Sequence, residues 1–189
     1  MPMWKDTVPG SPPVQPSPPA QWFVAKTRYG QEVLVRDRLR CKGMEYFIPT
    51  QKRTNARGKT VEKPLVSSMV FMRVSRREAL DLANKDYLPV HYMIDCATHT
   101  LLTVPDREME NFQRVLRESG SGGSLTERPL ALGDGVKVTR GPLRGVEGYV
   151  LELLGKTYVV VELLGCLWAK AKVPRSWLVP TGKRKPATT

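Results

Sequence analysis

The chain has 189 residues, 41% of them apolar, three cysteines and a formal net charge of +12. It is long enough for one large domain or two small ones, and its core needs no staples. Cys41, Cys96 and Cys166 lie far apart with no CxxC pair, so they suggest neither a thiolate metal site nor a disulfide framework and fit a reducing cytoplasm. No span reaches the apolar length of a membrane helix, and no basic-then-apolar leader opens the chain, so a cytoplasmic protein without membrane contact is expected. The charge is spread over both halves, with 18 basic against 12 acidic residues in 22–119 and 11 against 5 in 122–189. Such a balance favours a polyanionic partner such as nucleic acid, or serves solubility alone, and is silent on fold.

Residues 1–20 hold seven prolines and too few apolar groups to offset the entropy of ordering, which predicts a disordered tail. Trp22-Phe23-Val24-Ala25-Lys26-Thr27 is aromatic and β-branched enough for a strand, broken by Tyr29-Gly30 before a helix over 31–42 that Gly43 closes. Residues 46–51, a turn over Asn55 to Lys59 and the apolar run Leu65 to Val74 read as a basic hairpin followed by further strand. Ser75-Arg76-Arg77-Glu78 is a capping box, and Ala79, Leu82 and Ala83 share the face of the helix it starts. Leu101 to Val104 offers a strand. After it Pro105, Asp106 and Glu108 suit a helix N-terminus, with Met109, Phe112, Val115 and Leu116 as the buried stripe.

Ser119 to Ser124 has linker composition, and about 13 flexible residues to Ala131 would reach roughly 20 Å. The spacing predicts domains at 21–119 and 132–181, with a linker at 120–131 and a basic tail at 182–189. Beyond the linker, β-rich segments at 136–140, 146–153, 157–163 and 167–173 fit a small barrel. β-Branched Val159, Val160 and Val161 and the turn glycines favour that barrel over a helical form.

The strongest pattern runs from Gly133-Asp134-Gly135-Val136 to Gly148-Tyr149-Val150. Gly141, Gly145 and Gly148 stand where strands turn tightly or approach closely, and Val136, Val138, Val146 and Val150 supply an inner face. It resembles a KOW motif. Trp22-Phe23-Val24, Tyr29-Gly30-Gln31-Glu32, Phe47-Ile48-Pro49 ahead of a basic hairpin, and Val104-Pro105-Asp106 before the last helix make residues 22–119 similar to the amino-terminal domain of the NusG family. Leu88-Pro89-Val90-His91-Tyr92 and Leu101-Leu102-Thr103-Val104-Pro105-Asp106-Arg107-Glu108-Met109-Glu110 look most like its UpxY and RfaH type, specialised antiterminators of long operons such as surface polysaccharide loci. The fold class implied is α+β: an NGN-type antiparallel sheet flanked by helices, followed by a small all-β, SH3-like KOW barrel.

The resemblance implies a non-enzymatic elongation and antitermination factor whose first domain grips the clamp helices of RNA polymerase. Leu65, Val66, Met69, Phe71, Met109 and Phe112 are the candidate surface, although some must be core, because a strand shows only alternate side chains to each face. Ser67-Ser68 stands where the family often has Pro-Gly or Pro-Asn, and Met69 where it has an aromatic. Arg28, Gln31 and Arg38 match positions near the non-template DNA strand, while Arg53, Arg57 and Lys59 suit the upstream duplex. Phosphate contacts of this kind add affinity without selecting bases. Leu143, Leu163 and Leu164 map to the KOW surface that meets Rho or a small-subunit ribosomal protein. A monomer outside the complex is expected.

No serine or cysteine sits in a nucleophile elbow and no carboxylate cluster has metal-ligand spacing, so no metal, cofactor or catalysis is expected. Asp95, Cys96 and His99 lack a fourth partner and read as loop residues. The competing function is a KOW-type RNA- or ribosome-binding module, motivated by charge and barrel alone.

Overall fold

The computed structural model describes residues 19–28, 30–54, 56, 58–66, 68–119, 125–126 and 133–184, with 51–53, 62–63, 125–126 and 183–184 as backbone only. Most of the Pro-rich tail, most of the 120–131 linker, residues 185–189, Tyr29, Arg57 and Ser67 lie outside the described residues.

Strand β1 (Gln21–Thr27) is the hub of the first sheet. It pairs antiparallel with β5 (Met69–Val74), β6 (Val90–Tyr92) and the short β7 (Thr103–Val104), while β2 (Glu45–Phe47) adds to the far side of β5. Both faces of the β1–β5 pair are covered, so neither strand shows an apolar-polar alternation. Phe23, Ala25, Val70 and Met72 point into one cluster with Val35 and Leu39 of helix α1 (Glu32–Cys41) and Ala79 and Leu82 of α2 (Arg76–Asn84). Trp22, Val24, Met69 and Phe71 point the other way, into a cluster with Met109, Phe112 and Val115 of α3 (Asp106–Glu118).

Local chemistry sets the element ends. On α1 the buried positions Glu32, Val35 and Leu39 follow helical spacing and leave Val33 and Leu34 exposed. Gly43, at φ +65, turns the chain out of α1, and the amide of Met44 returns to the carbonyl of Leu39 at 3.1 Å. The capping box forms as expected: Ser75 Oγ accepts from the Glu78 amide at 3.3 Å, and the Ser75 amide donates to Glu78 Oε2 at 2.7 Å. The predicted strand over 46–51 is divided at Ile48-Pro49, so β3 (Thr50–Thr54) and β4 (Thr60–Pro64) form a separate two-stranded ribbon. Proline offers no amide to a ladder, which is why pairing with β5 stops there.

The C-terminal part is a six-stranded antiparallel sheet in the order β13-β9-β10-β11-β12-β8. Its strands are β8 (Leu125–Thr126), β9 (Asp134–Val138), β10 (Glu147–Leu153), β11 (Lys156–Leu163), β12 (Leu167–Lys172) and β13 (Leu178–Arg184). Four of these match the predicted β-rich segments. The other two do not: β8 lies inside the span expected to be linker, and β13 runs into the span expected to be a basic tail. Both are held by ladder hydrogen bonds to a neighbouring strand, a tertiary effect that composition does not register. The three motif glycines are explained by geometry. Gly141 and Gly145 adopt φ +76 and +88, and a Cβ on Gly148 would stand 2.3 Å from the carbonyl oxygen of Val160.

Arg73 of β5 fastens the start of α3, donating to Asp106 at 3.0 and 3.2 Å, with Glu45 of β2 at 3.4 Å on its other side. The Arg73 guanidinium holds the Asp106 carboxyl below the usual carboxylate range, and the Ser75 amide does the same for Glu78. Lowered folded-state values stabilise the fold above the unfolded carboxylate pKa of about 4 and are lost as pH falls through the lowered values. Urea titrations at stepped pH should therefore show a falling acid limb below about pH 4 that is shallower in Asp106→Asn. An identical limb in that variant would mean Asp106 carries none of it.

Candidate functional site

The side of the first sheet that faces α3 is an aromatic seam. Phe71 of β5 lies 6.1 Å from Phe47 of β2 and 6.5 Å from Phe112 of α3, and Phe47 meets Phe112 edge-on at 6.5 Å. Phe71 and Phe112 have no exposed surface, and Val66, Met69 and Met109 are also buried. Of the six residues predicted to face polymerase, only Leu65 is partly exposed, at the start of the loop into β5, where its amide donates to the Pro49 carbonyl at 2.7 Å. The structure thus brings the predicted apolar set together, as an interior. Truncating either phenylalanine would cost about 3–5 kcal/mol of fold stability before any partner is considered.

α3 is also engaged on its other side. Arg107, Asn111 and Arg114 recur at helical spacing and turn toward the C-terminal sheet, with Ser119 following at the helix end. Arg107 reaches Glu147 of β10 at 3.1 Å. One nitrogen of Arg114, Nη2, donates to the carbonyls of Pro142 and Arg144 at 2.7 and 2.9 Å, in the turn that Gly141 and Gly145 shape. The Ser119 hydroxyl lies 2.6 Å from the Lys170 carbonyl of β12. A cleft of about 530 Å³ remains between the two parts, lined from α3 by Arg107, Glu108 and Asn111 and from the sheet by Glu147, Glu162 and Leu164. Leu143 and Leu163 are buried and Leu164 is half-buried against the cluster that contains Met109, Phe112 and Val115. The two apolar sets predicted to meet different partners therefore share one cluster.

The basic candidates occupy other places. Arg28 is exposed beyond β1, and its carbonyl accepts from the Gln31 amide at 3.0 Å, so the two flank the N-terminus of α1. Gln31 and Arg38 lie seven residues apart, about 10 Å along the axis. Arg38 is exposed and donates to the Tyr87 carbonyl at 3.2 Å, which sets its guanidinium beside an exposed tyrosine. Lys59 is exposed at the turn of the β3–β4 ribbon. Arg53 is placed by its backbone in β3, and Arg57 is outside the described residues. The structure does not gather the α1 group and the ribbon group into one described contact set.

Asp95, Cys96 and His99 form a turn. Asp95 Oδ1 accepts from the amides of Ala97 and Thr98 at 2.7 and 3.2 Å, bonds that lower its pKa, and His99 sits at φ +53. Among the described residues, no group of three or more His, Cys, Asp or Glu side chains is placed to hold a metal, and no helix is long and apolar enough to cross a membrane. Two features escaped sequence reasoning. Arg107, Arg114 and Ser119 look like a solvated helix face until their acceptors are seen. Glu32 looks like a surface carboxylate, yet it is buried and accepts from the Ser68 amide at 2.9 Å, holding Ser68 at φ +64 where Thr27 also donates to its carbonyl at 2.7 Å. This clasp supports a left-handed residue in the loop where Gly or Asn would suit the backbone better.

Compared with known proteins, residues 20–113 match the NusG family, described as "Transcription termination factor nusG". The match covers the first sheet, α1, α2 and most of α3. No curated protein matches the chain.

The Arg114 contacts make a testable latch. At an exposed edge their loss in Arg114→Ala removes about 1 kcal/mol, a roughly fivefold shift in the equilibrium between docked and separated parts. Amide exchange along β11 and β12 should accelerate by about that factor. Unchanged exchange would show that the apolar contacts alone hold the parts together.

Proposed function

We propose that this chain, whose residues 20–113 form a NusG-family domain, is a transcription elongation or antitermination factor that binds RNA polymerase through that domain and makes transcription more processive. The observation that carries the reading is the family match over the first sheet, α1, α2 and most of α3. Binding alone suffices for this activity, in keeping with a family of non-enzymatic factors. The finer reading is a specialised UpxY or RfaH type serving long operons in the cytoplasm, supported by the local resemblances at 88–92 and 101–110. The C-terminal sheet is the KOW domain in this reading, supported by the positions of Gly141, Gly145 and Gly148, and its partner is Rho or a small-subunit ribosomal protein.

In the docked arrangement the seam, with α3 upon it, and Leu143, Leu163 and Leu164 lie in one cluster, so a partner reaches the side of α3 that faces the C-terminal sheet, and Leu164 opposite it, only when the two separate. The apparent affinity for polymerase is then the intrinsic affinity reduced by the fraction of separated molecules. Arg28, Gln31 and Arg38 meet the exposed DNA strand, and the ribbon with Arg53, Arg57 and Lys59 follows the upstream duplex.

Binding of the full chain to cognate core RNA polymerase, with pausing and read-through measured in parallel, tests this directly. Wild type binds and alters read-through, Arg114→Ala binds about fivefold more tightly, and Leu65→Asp binds at least tenfold more weakly. Absence of polymerase binding in all three, with retained binding to ribosomes or RNA, would overturn the reading in favour of a KOW-type RNA- or ribosome-binding module. DNA contact has its own signature. In the elongation complex, Arg28→Ala and Arg38→Ala should each lower the slope of log affinity against log salt by about 0.7, the value for one phosphate on a single strand, and unchanged slopes would remove these arginines from the path of the DNA.

A further inference from the structure

The end of α3 and the turn between β9 and β10 bring four arginines to one side of the joint. Arg114 stands against the turn, with Nη2 on the carbonyls of Pro142 and Arg144. Arg117, three residues on and so on the same side of the helix, is exposed, and with Arg114, Glu118 and Pro142 it lines a surface hollow of about 280 Å³. Arg140 and Arg144 flank Pro142 in the turn itself, and both are exposed. Hydrogen bonds hold the turn in shape: the Arg144 amide donates to the Gly141 carbonyl at 3.0 Å and the Gly145 amide to the Val138 carbonyl at 2.7 Å. Arg36, Arg73, Arg107 and Arg175 each pair with a carboxylate. Among the described residues Arg117, Arg140 and Arg144 have no carboxylate partner, although Glu118 stands in the hollow and Glu110 one turn before Arg114. Docking thus sets like charge against like charge across the joint, which costs energy unless an anion lies between.

We propose that the docked joint is a binding site for single-stranded nucleic acid, whose phosphates bridge Arg117 of α3 to Arg140 and Arg144 of the turn, with Arg114 as the positioning residue between them. A guanidinium donates two parallel hydrogen bonds to a phosphate, and guanidiniums spread over two elements suit a run of phosphates better than one compact anion. The turn also carries an aromatic: a Cβ on Gly141 would stand 2.3 Å from the Trp177 ring, which packs against the turn and is only half-buried. Arginine beside an aromatic edge is the surface that single strands use, phosphate on the one and base on the other. Because the strand touches both parts, it binds the docked form and stabilises it by mass action. The C-terminal sheet alone would lack the Arg117 half of the site. The inference goes beyond the polymerase reading and does not need it, since the site exists only while the sheet-facing side of α3 is closed.

The test titrates the full chain, without polymerase, with hexauridylate and separately with hexathymidylate, following backbone amide signals. Signals of 114–119 and 139–145 should shift together and saturate at one concentration with at least one of the two strands, and the stronger of them identifies RNA or DNA as the ligand. At ten times the dissociation constant, amide exchange along β11 and β12 should slow roughly tenfold, because the separated form becomes that much rarer. Arg117→Ala and Arg140→Ala, both at exposed positions where folding is not at stake, should each lower the slope of log affinity against log salt by about 0.7. Glu118→Gln, which removes the carboxylate from the hollow, should tighten binding. Shifts confined to 139–145 would place the strand on the C-terminal sheet alone, and shifts confined to α1 or the β3–β4 ribbon would place it elsewhere. Either result, unchanged exchange in the saturated chain, or salt slopes unaltered in both arginine variants would overturn the proposal.

Discussion

The burial of α3 on two sides is the constraint from which the rest of the molecule follows. A surface helix ordinarily buries one stripe and leaves the rest to water. Here Met109, Phe112 and Val115 are inside, Phe112 closes the aromatic seam of the first sheet, and the edge carrying Arg107 and Arg114 holds the C-terminal sheet. Among the described residues the two sheets share no strand pairing, and α3 packs against both. The joint is built from apolar contact with a polar rim, and the rim consists of exposed ion pairs and hydrogen bonds to backbone carbonyls, each worth little singly. Such a joint closes firmly enough to bury its apolar groups and yields to a competitor that offers a comparable surface.

The first sheet also separates two kinds of chemistry. α1 and α2 cover the face that holds Phe23, Val70 and Met72, and α3 covers the face that holds Trp22, Met69 and Phe71. Arg38, on α1, is thereby on the opposite face of the sheet from the aromatic seam. A protein partner at the seam and a polyanion along α1 would not compete for space, and each would leave the other's approach open. The Glu32 clasp on Ser68 joins these faces, because it ties α1 to the loop that leads into β5.

Much of this was legible from residue order. The strand at Trp22, the capping box at Ser75, the α3 stripe and the glycine positions in the C-terminal sheet each rest on local chemistry, and each stands where that chemistry puts it. The predicted apolar surface was legible as a set but not as an interior, because periodicity says which residues cluster and is blind to what covers them. β8 and β13 were missed for a related reason: Thr126 and Pro180 enter ladders only because Trp168 and Val136 stand opposite. Arg114 was opaque because its acceptors are main-chain carbonyls 28 and 30 residues away, to which composition gives no clue.

The interruption at Pro49 has a mechanical result. Because β3 and β4 pair only with each other among the described residues, the ribbon is joined to the first sheet through the Pro49–Leu65 base and not through a shared ladder. A lone two-stranded ribbon is marginal in water. It can fray or pivot on its base while the sheet beneath stays intact, as a flap of low stiffness on a rigid plate. Motion of the ribbon on that base is then not carried to α3 by strand pairing.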